Sequence, residues 1–214
     1  MQSASLVKDT TIMRRKFVLS VAAVALAAGA VAGCSSGSSS ASGGGTANGS
    51  SPAPAPTESN PAGDIPDNQA YVAYKPAGAG FTVKVPEGWS RTTAVNTVTF
   101  TDKLNRIEIV SVKASAAPTT QSVNAKTVPV LRKQVPGFRM GKVTTVSRQG
   151  GRAVLVTYRG DSAPDSVTGK VVHDAFERYA YFKNGHEAVL TLSGPVGADN
   201  VDPWRIVSDS LRWQ

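Results

Sequence analysis

From residue 71 onward the sequence predicts an α+β fold, an antiparallel sheet with helices packed on it, on three observations. Phe81, Val83 and Val85 alternate with Thr82 and Lys84, the period of a half-buried strand. Asn184-Gly185 sits between two β-rich runs, and this dipeptide is the strongest short signal for a hairpin turn. The chain then closes on Asp202-Pro203 followed by Trp204, Val207 and Leu211, one apolar face at helical spacing.

Each element follows in order. Tyr71 to Pro76 leads into the turn Gly78-Ala79-Gly80, and Phe81 to Pro86 is the first clear strand. Pro86-Glu87-Gly88-Trp89 turns the chain and folds the indole onto the edge of the core. Val95–Thr101 and Arg106–Lys113 make a hairpin about Asp102 to Asn105, with Ile107, Ile109, Val110 and Val112 covered on most of both faces. Between Pro118 and Val135 a helix is expected, capped by Thr120 or Ser122, with Val123, Val130 and Leu131 on its apolar side. Pro129 forces either a kink or a restart at a first turn. Pro136-Gly137 ends it. Two hairpins side by side come next: Phe138–Arg148 with Arg152–Gly160, then Lys170–Phe182 with His186–Ser193, separated by a polar loop over Asp161–Gly169. In the closing helix Asp202 is expected as N-cap, Pro203 at the first position, and Ile206 beside the apolar face.

What precedes residue 71 reads as address rather than fold. Arg14-Arg15-Lys16, an apolar run from Phe17 to Ala32 and a small-residue end have the layout of a cleaved signal peptide, so 1–33 is expected to be removed. The run is short of the roughly 20 apolar residues of a spanning helix. Met13 directly before Arg14 would itself be a normal signal-peptide start, which makes 1–12 an expected mis-assigned prelude. Cys34 is the only cysteine in 214 residues. Val31-Ala32-Gly33-Cys34 resembles the lipobox of bacterial lipoproteins, and the resemblance implies cleavage after Gly33 and lipidation of Cys34. Two or three acyl chains hold a protein on a bilayer stably where one does so marginally. The alternative is a structural cysteine, yet Cys34 lies between an apolar run and a Ser/Gly tract, where no core exists to bury it. From Cys34 to residue 70 the composition is Ser, Gly, Ala and Pro, too poor in apolar side chains to offset ordering, and a disordered spacer is expected. The domain 71–214 then has the length for one core and no disulfide.

Charge narrows the partners. Residues 71–214 hold 19 Lys and Arg against 11 Asp and Glu, and the spacer is acidic. An exported basic domain is drawn to anionic head groups, an acidic wall polymer or an envelope protein within a Debye length of about 8–10 Å. Export removes it from nucleic acid. A monomer is expected, although a solvated basic surface with no partner is the blander reading.

The run Gly80-Phe81-Thr82-Val83-Lys84-Val85-Pro86-Glu87-Gly88-Trp89, the central helix ending at Pro136-Gly137, the Asn184-Gly185 hairpin and the terminal Ile206-Val207-Ser208-Asp209-Ser210-Leu211 together resemble the PsbP-like α/β/α sandwich family. Within it the chain is most similar to actinobacterial lipoproteins of the LpqN type. The resemblance spans residues 71–214 and implies accessory and binding proteins, not catalysts. It carries over no binding residue.

The residues themselves offer little chemistry. The one thiol is assigned to the anchor, and no Gly-x-Ser-x-Gly or Ser-x-x-Lys occurs in the folded part. His173 and Glu177 share a strand face about 13 Å apart, too far to share a metal or proton, and His186 sits nearest Lys183 across its turn. Asp161, Asp165 and Asp174 lack the Gly and Glu of an EF-hand. No catalytic, cofactor or metal residue is therefore assigned. A possible partner surface is Tyr158, Arg159, Arg178, Tyr179 and Tyr181, if the tyrosine face of the sheet is open; otherwise one face is core under a helix and the other a half-covered sheet surface. The function expected is a non-enzymatic, membrane-anchored extracytoplasmic lipoprotein at the outer face of the bacterial cell membrane that binds a protein or envelope partner. The alternatives are an envelope enzyme or metal-handling protein, and a carrier of a lipid or small apolar ligand in an enclosed pocket.

Overall fold

The computed structural model describes residues 62–164 and 167–214. The signal peptide, Cys34 and most of the spacer lie outside the described residues, as does Asp165. Ten strands and three short helices appear in the order β1 (Tyr71–Tyr74), β2 (Phe81–Pro86), β3 (Ser90–Ala94), β4 (Thr97–Asp102), β5 (Asn105–Lys113), α1 (Thr120–Ser122), a π-helical stretch (Val123–Thr127), α2 (Val128–Gln134), β6 (Arg139–Arg148), β7 (Gly151–Asp161), β8 (His173–Lys183), β9 (His186–Pro195), α3 (Val201–Asp209) and β10 (Arg212–Trp213). The fold is α+β, with antiparallel sheet and helices packed on it.

Two sheets form where one was expected. β3-β4-β5-β9-β8-β7-β6 is a continuous seven-stranded antiparallel sheet, and β1-β2-β10 is a separate three-stranded one. The expected hairpins are successive strands of one meander, closed onto the first half of the chain by β5 against β9, with Ile109 opposite Leu190. The Asn184-Gly185 turn is as read: both residues have positive φ, 48° and 79°, the geometry of a two-residue type I′ hairpin. β3 carries no alternation that the sequence could show, because all five of its residues are exposed.

The large sheet is buried on both sides, but unequally. One face carries Ile107, Ile109, Leu155, Tyr179, Tyr181, Leu190 and Leu192 against Phe81, Val83 and Val85 of the small sheet and Trp204, Val207 and Leu211 of α3. The other carries Val154, Val156 and Tyr158 against Val123 and Val128, with Leu131, Phe138 and Phe176 packed beside them. This gives three layers, with the helical segment 120–134 on one side and α3 with the small sheet on the other.

Three local expectations are corrected. The cap of the central helix is Thr119, whose Oγ1 accepts the Ser122 N–H at 3.0 Å while Ser122 Oγ accepts the Thr119 N–H at 2.9 Å. Pro129 stands in the first turn of α2, so the helix restarts there, the second of the two expected outcomes, directly after a π-helical turn that holds one extra residue. That extra residue shifts the phase, so Val128 points inward and Val130 is 47% exposed. In α3 the N-cap is Asn200, not Asp202, which lies in the first turn, and Ile206 is exposed.

The spacer expectation fails at its end, since Ile65 is only 4% exposed and belongs to the core. Asn200 Oδ1 accepts the Ile65 N–H at 2.8 Å, and Asn105 and Asn200 each donate to the Gly63 carbonyl at 2.9 Å. Gly194 makes room for the pair, because a Cβ there would lie 2.4 Å from Asn105 Oδ1. These hydrogen bonds replace the apolar side chains that the segment lacks, and composition cannot register them.

Candidate interaction surface

The five residues named from the sequence do not form one surface. Tyr179 and Tyr181, 2% and 0% exposed, lie beneath α3. The Tyr181 hydroxyl donates to the Ser208 carbonyl at 2.7 Å, and the Tyr179 hydroxyl donates to Glu177 Oε2 at 2.6 Å. Arg148 lies over the Tyr179 ring at 5.3 Å, donates to its hydroxyl at 3.4 Å and approaches Asp209 at 3.5 Å. Burial pushes both phenols above their ordinary pKa. They fasten the last helix to the sheet. Arg159 shares the tyrosine face but is exposed near its end, opposite Arg139.

Tyr158 and Arg178 occupy the other face, and the structure brings them together. Tyr158 stacks on Phe176 with centroids 4.5 Å apart and planes 5° from parallel, and Phe138 backs it at 5.4 Å. Burial raises the Tyr158 pKa to about 12, and the positive charge of Arg178 is the largest opposing influence. The helical segment packs on this end of the face, over β7 and its neighbours. Beyond it the face continues as a polar row fixed by register: Arg178 opposite Thr191, Thr191 opposite Glu108, Glu108 opposite Thr99. Arg106 pairs with Glu108 and reaches Thr99 Oγ1 at 3.5 Å.

Arg178 is the unusual member. It is half-buried, and loss of water pulls its guanidinium below the ordinary pKa, opposed by Glu187, Tyr158 and Glu108 at longer range. Among the described residues it has neither a hydrogen bond nor an ion pair. A fully desolvated charge without a close partner carries a penalty on the order of several kcal/mol even after relaxation, and a half-buried one less, and five donors in a fixed plane suit a carboxylate or a carbonyl edge. Around it the row supplies hydroxyls, one aromatic stack and one carboxylate, which can hold a polar segment by hydrogen bonding.

The titratable groups weighed for chemistry are dispersed. His173 Nδ1 is 2.5 Å from Asp161 Oδ1 across β7 and β8, a pair the loop reading missed because it spans the polar loop. Glu177 is taken by Tyr179. His186 faces Lys183 and Lys113 in the ladders. Asp174 is buried on the Arg178 face by alternation, its Oδ1 without a partner, and burial with help from Asp161 lifts its pKa to about 6. Among the described residues no three His, Cys, Asp or Glu side chains are grouped to hold a metal ion. One cleft opens beside Tyr74, Asn96, Lys113 and His186 and another beside Lys84, Arg205 and Asp209; each has charged groups at its wall, and neither lies between the large sheet and α2.

No family model and no curated protein matches the chain. Solved structures do. A PsbP from Synechocystis (CyanoP) aligns at 16% identity and TM-score 0.49 over 68% of this chain and 94% of its own. LpqN of Mycobacterium tuberculosis, described as involved in cell envelope biogenesis, aligns at 14% identity and TM-score 0.38 over 68% and 91%. A Bacteroides thetaiotaomicron protein aligns at 11% identity and TM-score 0.44 over 66% of this chain, which spans 48% of that protein's length. PsbP and LpqN are the two kinds that the sequence resemblance named. At these identities the likeness is one of fold alone.

Proposed function

We propose that this protein is an exported lipoprotein, acylated on Cys34 and held at the outer face of the cell membrane, whose domain binds an envelope protein without chemistry of its own. The observation that supports the binding reading is Arg178, a half-buried guanidinium without a close partner on a part of the sheet that α2 leaves uncovered. A carboxylate or carbonyl presented by a partner completes its hydrogen bonding. Thr99, Glu108 and Thr191 flank the contact in one cross-strand row. Phe176, only partly buried and stacked on the buried Tyr158, gives the partner a rigid aromatic margin of the kind enriched at interface hot spots. The spacer after Cys34 supplies reach from the bilayer.

Two measurements test the halves separately. Cys34→Ala should abolish metabolic acyl labelling and release the protein from the membrane fraction; unchanged partition contradicts the anchor. A photo-crosslinking side chain at Thr191 should capture one discrete envelope product in cells, lost on Arg178→Ala, while the same probe at Ile206 of α3 captures none. Equal products from both positions contradict the surface.

A further inference from the structure

The positive charge of the domain is not spread over it. From residue 109 to 160 there are nine Lys and Arg and no Asp or Glu, whereas the rest of 71–214 holds ten against eleven. That stretch folds into the helical segment, β6 and β7, and β6 is the edge of the seven-stranded sheet. Two of its cations are accounted for elsewhere: Arg148 by Asp209 and Tyr179, and Lys113 by its place at the far end of β5 beside His186. The other seven, Lys126, Arg132, Lys133, Arg139, Lys142, Arg152 and Arg159, are exposed, and among the described residues none has an ion pair.

Some of these have local reasons. Arg132 and Lys133 lie in the last turn of α2, where cations meet the negative end of the helix, and a lysine on an edge strand guards against unwanted pairing. Arg139 directly opposite Arg159 has no such reason, since like charges facing across a ladder are destabilising. We propose that this edge is a binding site for a flexible polyanion, a polymer chain bearing phosphate groups, laid around β6. It is a surface distinct from the Arg178 row and does not depend on acylation of Cys34.

The geometry chooses the chain over a flat bilayer. Arg139 and Arg159 share the tyrosine face of the sheet, whereas Arg132 and Lys133 belong to the helix on the opposite face. A plane meets only one of these sets at a time, but a flexible chain crossing the edge meets both. Insertion into lipid also needs apolar anchors, and Val130 is the exposed large apolar side chain of this region. Two guanidiniums in register favour phosphate oxygens, which they grip with paired hydrogen bonds.

The test titrates the full chain with long-chain inorganic polyphosphate at several salt concentrations, and with phosphatidylcholine vesicles made with and without phosphatidylglycerol. Affinity for polyphosphate should fall steeply with salt, as counterion release requires. Arg139→Glu with Arg159→Glu should weaken it by about tenfold or more and flatten the salt dependence, whereas Lys75→Glu with Lys170→Glu, the same change of charge outside the stretch, should leave it within about twofold. Arg139→Glu alone should melt no lower than the parent, because it turns a repulsive pair into an attractive one. Equal losses from the two double variants reduce the effect to net charge and overturn the site. Phosphatidylglycerol-dependent vesicle binding without polyphosphate binding overturns the polymer in favour of a membrane.

Discussion

The two faces of the seven-stranded sheet differ in how their central polar groups are satisfied. On the face under α3, Tyr179, Tyr181, Arg148 and Ser208 are hydrogen-bonded to one another or to Asp209, and the tyrosines are sealed. On the face that α2 half covers, Arg178 has no close partner and Asp174 Oδ1 is buried with none. A buried group that is satisfied stabilises one arrangement, and one that is not marks where the fold by itself leaves a requirement open. The first face holds the molecule together, and the second is the one proposed to meet a partner.

The contrast can be broken most forcefully on the sealed side. Tyr181→Ala removes a fully buried ring and the bond to Ser208, and should cost about 3–5 kcal/mol in the unfolding free energy obtained by denaturant titration. A loss near zero would mean that the tyrosine face is looser than its burial implies.

Asp174 sharpens the comparison through pH. Its carboxyl has a folded pKa raised from 3.8 to about 6, by burial first and the Asp161 charge second, with His173 opposing. The folded state therefore binds its proton more tightly than the unfolded chain, and stability is greatest below about pH 4 and falls as pH rises through 6. The loss should be on the order of 1 kcal/mol once solvent screening is allowed for. Asp174→Asn should remove that component from the stability profile between pH 4 and 7, and an unchanged slope would assign it elsewhere.

The smallest effect is the most telling. Arg178→Met keeps the aliphatic bulk and deletes the desolvated charge, so the melting free energy should change by less than about 1 kcal/mol or rise, while crosslinking through Thr191 disappears. A large destabilisation would show that Arg178 serves the fold.

Much of this was legible locally. Asn184-Gly185 sets the β8–β9 register, and from it the facing of Arg178 and Thr191 follows by counting. The acid-free run 109–160 is visible in the sequence too, though not its gathering on one sheet edge. The tyrosine surface is not legible because alternation assigns a residue to a face without saying what covers that face: pattern gives Tyr179 and Arg178 equal claims to exposure, and only the packing of α3 separates them. Ile65 was hidden in a polar composition because the groups holding it, Asn105 and Asn200, come from remote parts of the chain.

By itself the sequence determined turn chemistry and the strand and helix periods, all of which depend on neighbours within a few residues. The tertiary structure alone decided that β5 pairs with β9, bringing Glu108 and Arg106 to Thr191 and Arg178, and that one face of the sheet is closed while part of the other stays open. Those outcomes come from hydrophobic burial and hydrogen-bond pairing between distant segments, and no local pattern encodes which distant surface will meet which.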